Sequence, residues 1–226
     1  MKANQLSSSV DFSSSDQSSA ESVSLRRQLA AKRALDIFVS ASALLVLLPL
    51  FAVIALMIKC NSRGPVLFKQ IRWGVNGKKI NVYKFRSMQA GLGDVTGVAQ
   101  TVQNDPRVTT VGAWLRKSNF DELPQLLNVL LGDMSLVGPR CHAIGMMAAG
   151  RPYEELVPHY HQRHVLRPGI TGLAQIRGHR GPTVQADKAR QRIASDLYYV
   201  NNYSLWLDFK IIVGTVKNEM LGGTGF

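Results

Sequence analysis

From Ile37 to Ile58 the chain carries no charged residue: IFVSASALLVLLPLFAVIALMI. A membrane helix needs ~20 apolar residues in a row, and this run is long enough. It starts too far from the N-terminus, and runs too long, for an ordinary cleaved signal peptide. Pro49, preceded by Leu48, sits near its middle, where proline removes a backbone donor and bends a helix. Cations stand on both sides: Arg26, Arg27, Lys32 and Arg33 before, Lys59, Arg63, Lys69 and Arg72 after. The positive-inside tendency wants both flanks in the cytoplasm. A plain span fits the hydropathy. A bent, re-entrant helix that enters and leaves by the same face fits the proline and the flanks. The residues alone leave both open.

The rest of the chain is basic, with a formal net charge of +12 over 226 residues. Such a balance calls for an anionic partner: nucleic acid, anionic phospholipid or a phosphorylated substrate. No nucleic-acid motif or long Arg/Lys run occurs and aromatics are only 8%, so nucleic acid is not an expected partner. Cys60 and Cys141 stand at no metal-ligand spacing and suggest a reducing compartment rather than a disulfide framework.

Three zones follow. Residues 1–24 are serine-rich and without hydrophobic periodicity, which reads as disorder. Residues 25–63 hold the basic segment and the membrane helix. Residues 64–226 hold the remaining domain. Within it, GPVLFKQIRWG and KKINVYKFRSM read as two strands joined at Asn76-Gly77, a two-residue hairpin turn. Alternation puts Lys84 and Arg86 on one face, Tyr83 and Phe85 on the other. Residues 89–104 read as loop. Helices are expected over Thr110–Lys117, Asp121–Leu131, part of 143–166 and Ala186–Asn202. GDMSLVGPR reads as a short extended piece between turns, and the glycines of 167–178 exclude a long helix. Ser204–Gly223 is apolar but interrupted by Asp208, Lys210 and Lys217. It fits either an interfacial amphipathic helix with Trp206 at headgroup level or a core helix. The fold class is α+β, mainly helical.

The stretch SNFDELPQLLNVL sets Asp121 and Glu122 side by side. Successive helix positions point ~100° apart, so the two cannot share a face. Asn119 and Glu122 have the spacing of a capping box, and acids favour the positive helix end. The neighbours offer a second reading. Arg107, Arg116, Lys117 and Arg140 lie close in sequence. A carboxylate at a helix start near arginines is expected to stay ionised with a lowered pKa. That suits a nucleophile, or a ligand for Mg2+. Two carboxylates, one magnesium ion and several arginines make a site for phosphate esters. His159, His161 and His164 fit one helical face poorly, and no phosphate loop of the GxxxxGK[ST] type occurs.

The segments YKFRSM (83–88), NDPRVTTVGAWLRKSNFDELPQLLNVLLGDMSLVGPR (104–140), RPGITGLAQI (167–176) and DLYYVNNYSLWLDFKII (196–212) together resemble the bacterial sugar transferases. These are the monotopic phosphoglycosyl transferases of exopolysaccharide and O-antigen synthesis. The resemblance runs from about Lys32 to Val213. It implies transfer of a sugar-1-phosphate, glucose or galactose, from a UDP-sugar to undecaprenyl phosphate, with release of UMP. It implies that Asp121 attacks the sugar-bearing phosphate, that Glu122 supports it, and that Mg2+ assists with both carboxylates as candidate ligands. It implies phosphate contacts from Arg140, Arg86 and Arg107, with Lys84 and Arg116 as further candidates. A re-entrant helix, a place on the cytoplasmic face of the bacterial inner membrane, a possible homodimer and downstream glycosyltransferases as partners follow from the same likeness. So does the expectation of a minimal catalytic unit, without the multi-span N-terminal half of larger relatives.

Two positions depart from the family pattern. Leu48 stands where serine is usual before the proline, and Cys141 where a proline usually follows VGPR. A non-catalytic membrane-surface scaffold and a nucleic-acid binder are the competing functions. The intact Asp-Glu pair argues against the first, and the membrane segment against the second.

Overall fold

A computed structural model of the chain describes residues 8–92, 98 and 105–221, with side chains from Ser22 onward. The chain divides into two units, residues 1–35 and 36–226. Helix α1 (Ser8–Asn61) supplies the described part of the first unit and continues into the second. It includes residues 8–24, where sequence reading expects disorder. Residues 8–61 hold no glycine and a single proline, Pro49, so no breaker interrupts a helix before that point.

α1 is long and apolar enough to cross a membrane, by length and composition. Within the second unit it touches the domain near both ends of the uncharged run. The buried Asp36 carboxylate accepts a hydrogen bond from the Leu136 N–H at 3.0 Å. Ile54 and Ile58 pack with Phe85 and Leu115, and the Phe51 ring meets Phe85 edge-on at 5.1 Å. Leu45, Val46, Leu48 and Val53, between these contacts, are exposed.

Strands β1 (Leu67–Trp73) and β2 (Lys79–Phe85) form the expected antiparallel hairpin, but Val75 joins Asn76 and Gly77 in a three-residue loop where a two-residue turn is expected. Asn76 and Gly77 both have positive φ, at 54° and 70°, as a primed turn requires. The register pairs Phe68 with Lys84, Gln70 with Val82 and Arg72 with Ile80, so all six share a face. Helix α2 (Thr110–Lys117) matches its predicted bounds, and Thr109 caps it by accepting from the Gly112 N–H at 3.0 Å.

The expected helix Asp121–Leu131 is split. Phe120–Glu122 form a 3-10 turn, and α3 (Gln125–Leu131) starts after Pro124. Proline has no N–H to give to a helical ladder but suits a helix start, so the dyad sits in the entry turn. Asn128 then ties α3 to β2. Its amide accepts from the Tyr83 N–H and donates to the Asn81 carbonyl, at 2.9 and 2.7 Å.

Strand β3 (Ser135–Val137) lies parallel to β6 (Gly169–Thr171). Here the backbones nearly touch. A Cβ on Gly169 would lie 2.1 Å from the Gly138 nitrogen, and one on Gly138 would lie 2.3 Å from the Arg167 carbonyl oxygen. Only glycine allows this approach, and it fixes where Pro139 and Arg140 emerge. The 143–166 region holds the expected helix only as short pieces. It contains the β4 (Met147–Ala148) and β5 (Arg151–Pro152) hairpin, a single-turn α4 (Tyr153–Leu156) and a 3-10 stretch, Tyr160–Val165. A one-turn α5 (Leu173–Ile176), then α6 (Ala186–Asn201) and α7 (Leu205–Met220), complete the domain. The expected 89–104 loop falls largely outside the described residues.

Candidate active site

Three separate chain segments bring charge to one point. Lys84 reaches in from β2, Glu122 from the 3-10 turn and Arg140 from the loop after β3. Lys84 Nζ donates to Glu122 Oε1 at 2.7 Å. Arg140 grips the same carboxylate as a fork, Nη2 to Oε1 at 2.6 Å and Nη1 to Oε2 at 3.2 Å. Bidentate Arg–carboxylate pairing is among the stronger side-chain contacts. Burial alone would push the Glu122 carboxyl up, but Arg140 and Lys84 outweigh it and hold it well below the usual carboxylate range.

Asp121, next in the same turn, is treated oppositely. Its side chain is 8% exposed, and no hydrogen bond or ion pair holds its carboxylate among the described residues. Burial pushes its pKa up from 3.8 to about 6; Lys84, Arg116 and Arg140 pull it down without prevailing, and Glu122 adds to the rise. The expectation that carboxylates here have lowered pKa values therefore holds for Glu122 and fails for Asp121. Desolvation without a partner disfavours the charged form. The capping-box reading also fails. Asn119 takes the left-handed conformation, φ 57°, and its side chain caps nothing in the turn; its amide instead donates to Glu219 at 3.1 Å.

The other candidates separate. Arg116 lies close enough to act on Asp121 by charge, and its Nη1 is 3.5 Å from the Ser87 hydroxyl. The Arg86 guanidinium donates to the carbonyls of Ser62 and Arg63 at 2.7 and 2.8 Å, closing the C-terminal end of α1. Arg107 is clasped by Asp105, Nη2 to Oδ2 at 2.6 Å and Nε to Oδ1 at 2.9 Å. Neither donates to the carboxylate cluster. Trp206 is 62% exposed on α7, stacked on Phe209. Pro49 and Leu48 are exposed within α1.

The family model described as bacterial sugar transferase matches residues 27–222. The chain belongs to the bacterial sugar transferase family. It is an enzyme of the phosphoglycosyl transferase type. The transferase is 68% identical over 198 residues to the exopolysaccharide production protein PSS of Rhizobium leguminosarum bv. phaseoli, covering 88% of this chain and 99% of that protein. It is 49% identical to an undecaprenyl-phosphate glucose phosphotransferase of Komagataeibacter xylinus, over 86% of this chain but 37% of the relative. It is also 49% identical to a UDP-glucose:undecaprenyl-phosphate glucose-1-phosphate transferase of Escherichia coli, over 82% of this chain and 39% of the relative. The chain thus spans less than half the length of these two larger relatives.

Sequence reading missed the support behind the transferase's Arg140. Arg163 and Asp196, each 1% exposed, form a closed ion pair at 2.6 and 3.0 Å. Arg163 Nη2 also donates to the Arg140 backbone carbonyl. The arginine that grips Glu122 is therefore held from behind. Asp196 had a visible sign, a lone acid among the apolar positions of a helix, but its partner lies on a distant segment.

As a magnesium site the two carboxylates differ. Both Glu122 oxygens already face cations, whereas the Asp121 carboxylate is open to one. Mg2+ commonly uses one or two carboxylates and completes its shell with water and substrate phosphate. The residues present fit such an ion through Asp121.

Proposed function

We propose that this transferase moves a hexose-1-phosphate, glucose-1-phosphate as the first candidate, from a UDP-sugar to undecaprenyl phosphate in two displacements. The single observation that carries the reading is the unpaired, buried Asp121 beside a Glu122 locked by Lys84 and Arg140. A nucleophile has to be free; its neighbour does not. The relatives named for UDP-glucose and undecaprenyl phosphate support this choice of donor and acceptor.

In the first displacement an Asp121 oxygen forms a bond to the sugar-bearing phosphorus, and the bond from that phosphorus to the bridging oxygen breaks. UMP leaves with the electron pair. In the second, a phosphate oxygen of undecaprenyl phosphate attacks the same phosphorus and the Asp121 carboxylate departs, leaving an undecaprenyl-diphosphate sugar. Such a scheme predicts ping-pong kinetics. Arg140, Lys84 and Arg116 supply fixed positive charge where phosphate charge gathers. A bound Mg2+ at Asp121 would supply further neutralising charge to the donor phosphates.

The acceptor is a lipid, and two features support a membrane-surface site. Contacts at both ends of the α1 apolar run, with exposed Leu45, Val46, Leu48 and Val53 between, support a re-entrant helix bent at Pro49, and the cations on both flanks support its place on the cytoplasmic face. On α7, Trp206, Phe209, Val213, Val216 and Met220 form an exposed stripe at helical spacing, which supports an interfacial helix.

The test uses the purified full chain in vesicles with UDP-glucose or UDP-galactose labelled in the sugar, and undecaprenyl phosphate. Label is expected in the lipid phase with release of UMP, dependent on Mg2+. Asp121→Asn should lower turnover by ~10³-fold or more, the scale on which lost nucleophiles are felt. Full turnover in that variant overturns the nucleophile assignment. Cysteine labelling before Asp36 and after Ile58 should report the same side of the membrane; opposite sides would refute the bent helix.

A further inference from the structure

Beside the Glu122 cluster stands a cation that the two displacements do not use. Arg72 lies on β1, on the same hairpin face as Lys84. Its Nε donates to Gln70 Oε1 at 3.0 Å, its Nη2 donates to the same oxygen, and its Nη1 donates to the Cys141 carbonyl at 3.2 Å. Every acceptor it has among the described residues is neutral. A guanidinium carries five N–H groups, so two remain uncommitted.

Burial pushes the Arg72 pKa below its ordinary value; Cys141 and Glu122 act against this, while Arg140 adds to it. Two guanidiniums are thus held near enough to repel each other. Among the described residues the carboxylate that acts on Arg72, Glu122, is already taken by Lys84 and Arg140. A desolvated cation without a counter-ion is unfavourable, and repulsion from Arg140, which itself holds Glu122, adds to that cost. An anion entering between Arg72 and Arg140 would supply the counter-ion that Arg72 lacks and screen the repulsion between the two. The geometry is also prepared for it. Gln70, 8% exposed, fixes the plane of the Arg72 fork, and the Cys141 carbonyl fixes its reach.

We propose that Arg72 is a further phosphate-binding residue, which closes with Arg140 on the diphosphate of the nucleotide-sugar donor. This rests on the reading of the donor as a nucleoside diphosphate sugar. Planar guanidiniums match phosphate oxygens two at a time, and a pair of them discriminates a diphosphate from a monophosphate. Arg72 therefore belongs to the first displacement, in which the diphosphate is cleaved, more than to the lipid acceptor. Its backbone neighbour in the site, Cys141, contributes a carbonyl rather than a side chain, so the cysteine that replaces the usual proline leaves this grip intact.

The experiment measures UDP and UMP binding by calorimetry on full-length protein in nanodiscs, and donor and acceptor KM in the transfer assay. Arg72→Gln should weaken UDP binding and raise donor KM by roughly ten- to a hundredfold, the range for a lost charged hydrogen-bonded contact. UMP affinity should fall less, and acceptor KM should change by less than about twofold. Arg72→Lys, which keeps the charge but loses the fork, should fall between. It also serves as the test should Arg72→Gln fail to fold. Unchanged UDP affinity in both variants overturns the proposal, as does an equal loss for donor and acceptor, which marks a merely structural role. The wild type reads separately. If it binds UDP but transfers no sugar-phosphate, the functional reading fails while the Arg72 comparison on UDP stands.

Discussion

Two charge clusters meet at Arg140 and are built in opposite ways. Behind it, Arg163 and Asp196 close on each other at 1% exposure, one cation to one anion. In front, Lys84, Arg140, Arg72 and Arg116 surround Glu122 and Asp121, and the cations outnumber the carboxylates. Asp121 has no partner and Arg72 no anionic hydrogen-bond acceptor. The rear pair is matched charge for charge, although Arg163 Nη1 is left without a hydrogen-bond partner among the described residues. The front cluster gains most when a polyanion arrives. Burial of charge by itself does not mark a site, since Asp121 is buried in front as Arg163 and Asp196 are behind; incomplete neutralisation does.

The largest effect that tests this contrast falls on the rear pair. Asp196→Asn leaves Arg163 buried and uncompensated, and should destabilise the domain by about 3–5 kcal/mol. Thermal unfolding in detergent micelles, with ligand absent, reads it. A paired apolar replacement, Arg163→Met with Asp196→Leu, should recover most of that loss. Turnover should remain about tenfold or more below wild type in the paired variant, because the Arg140 carbonyl loses its donor and misplaced groups are costly to rate. If stability and turnover recover together, the rear pair does not position Arg140 and the two clusters are independent.

The front cluster makes a prediction of opposite sign. The folded pKa of Asp121 is raised from 3.8 to about 6. Between those values the folded protein holds more proton than the unfolded one, so stability falls as pH rises through the window and stays lower above it. Asp121→Asn should therefore be more stable than wild type at pH 7, by on the order of 1–3 kcal/mol, and equal to it below about pH 4. In the transfer assay kcat/KM for the donor should fall tenfold per pH unit below about pH 6 and level off above it. An active-site variant that gains stability while losing its reaction is the signature of strain kept for function. Destabilisation by Asp121→Asn at pH 7 would show that the carboxylate has a partner in the fold.

Part of this was legible in the residues. Asn76-Gly77 marks the hairpin, but a two-residue turn there sets Lys84 opposite Lys69; the observed register is one residue off, pairs Lys84 with Phe68 and so brings Lys84 to the face of Gln70 and Arg72. The adjacency of Asp121 and Glu122 was read, as was α2 to the residue. What sequence could not supply were long-range uses of the same side-chain types. Arg86 and Arg140 are both arginines in basic motifs, yet one closes the end of α1 and the other grips Glu122. Asn119 had the spacing of a cap but took the left-handed turn and bonded Glu219 on α7. The split between the two carboxylates follows from which one the folded chain leaves unpaired, and no local pattern encodes that.

The smallest expected effect lies at the membrane face, where charge gives way to apolar contact. Trp206 stacks on Phe209, and Lys210 lies 5.4 Å from the Trp206 ring centre. An aromatic with a cation beside it suits the headgroup layer. On the proposed reading α1 is the main anchor, so Trp206→Ala should not release the protein from vesicles. It should instead raise KM for undecaprenyl phosphate by about two- to threefold, with donor KM unchanged, as expected for one interfacial side chain of several. The chain has three tryptophans, so fluorescence can be assigned by difference. Lipids brominated near the headgroup should quench wild type more than Trp206→Phe. Equal quenching in the two would place the α7 stripe away from the bilayer. The lipid acceptor would then have to reach Asp121 past α1 alone.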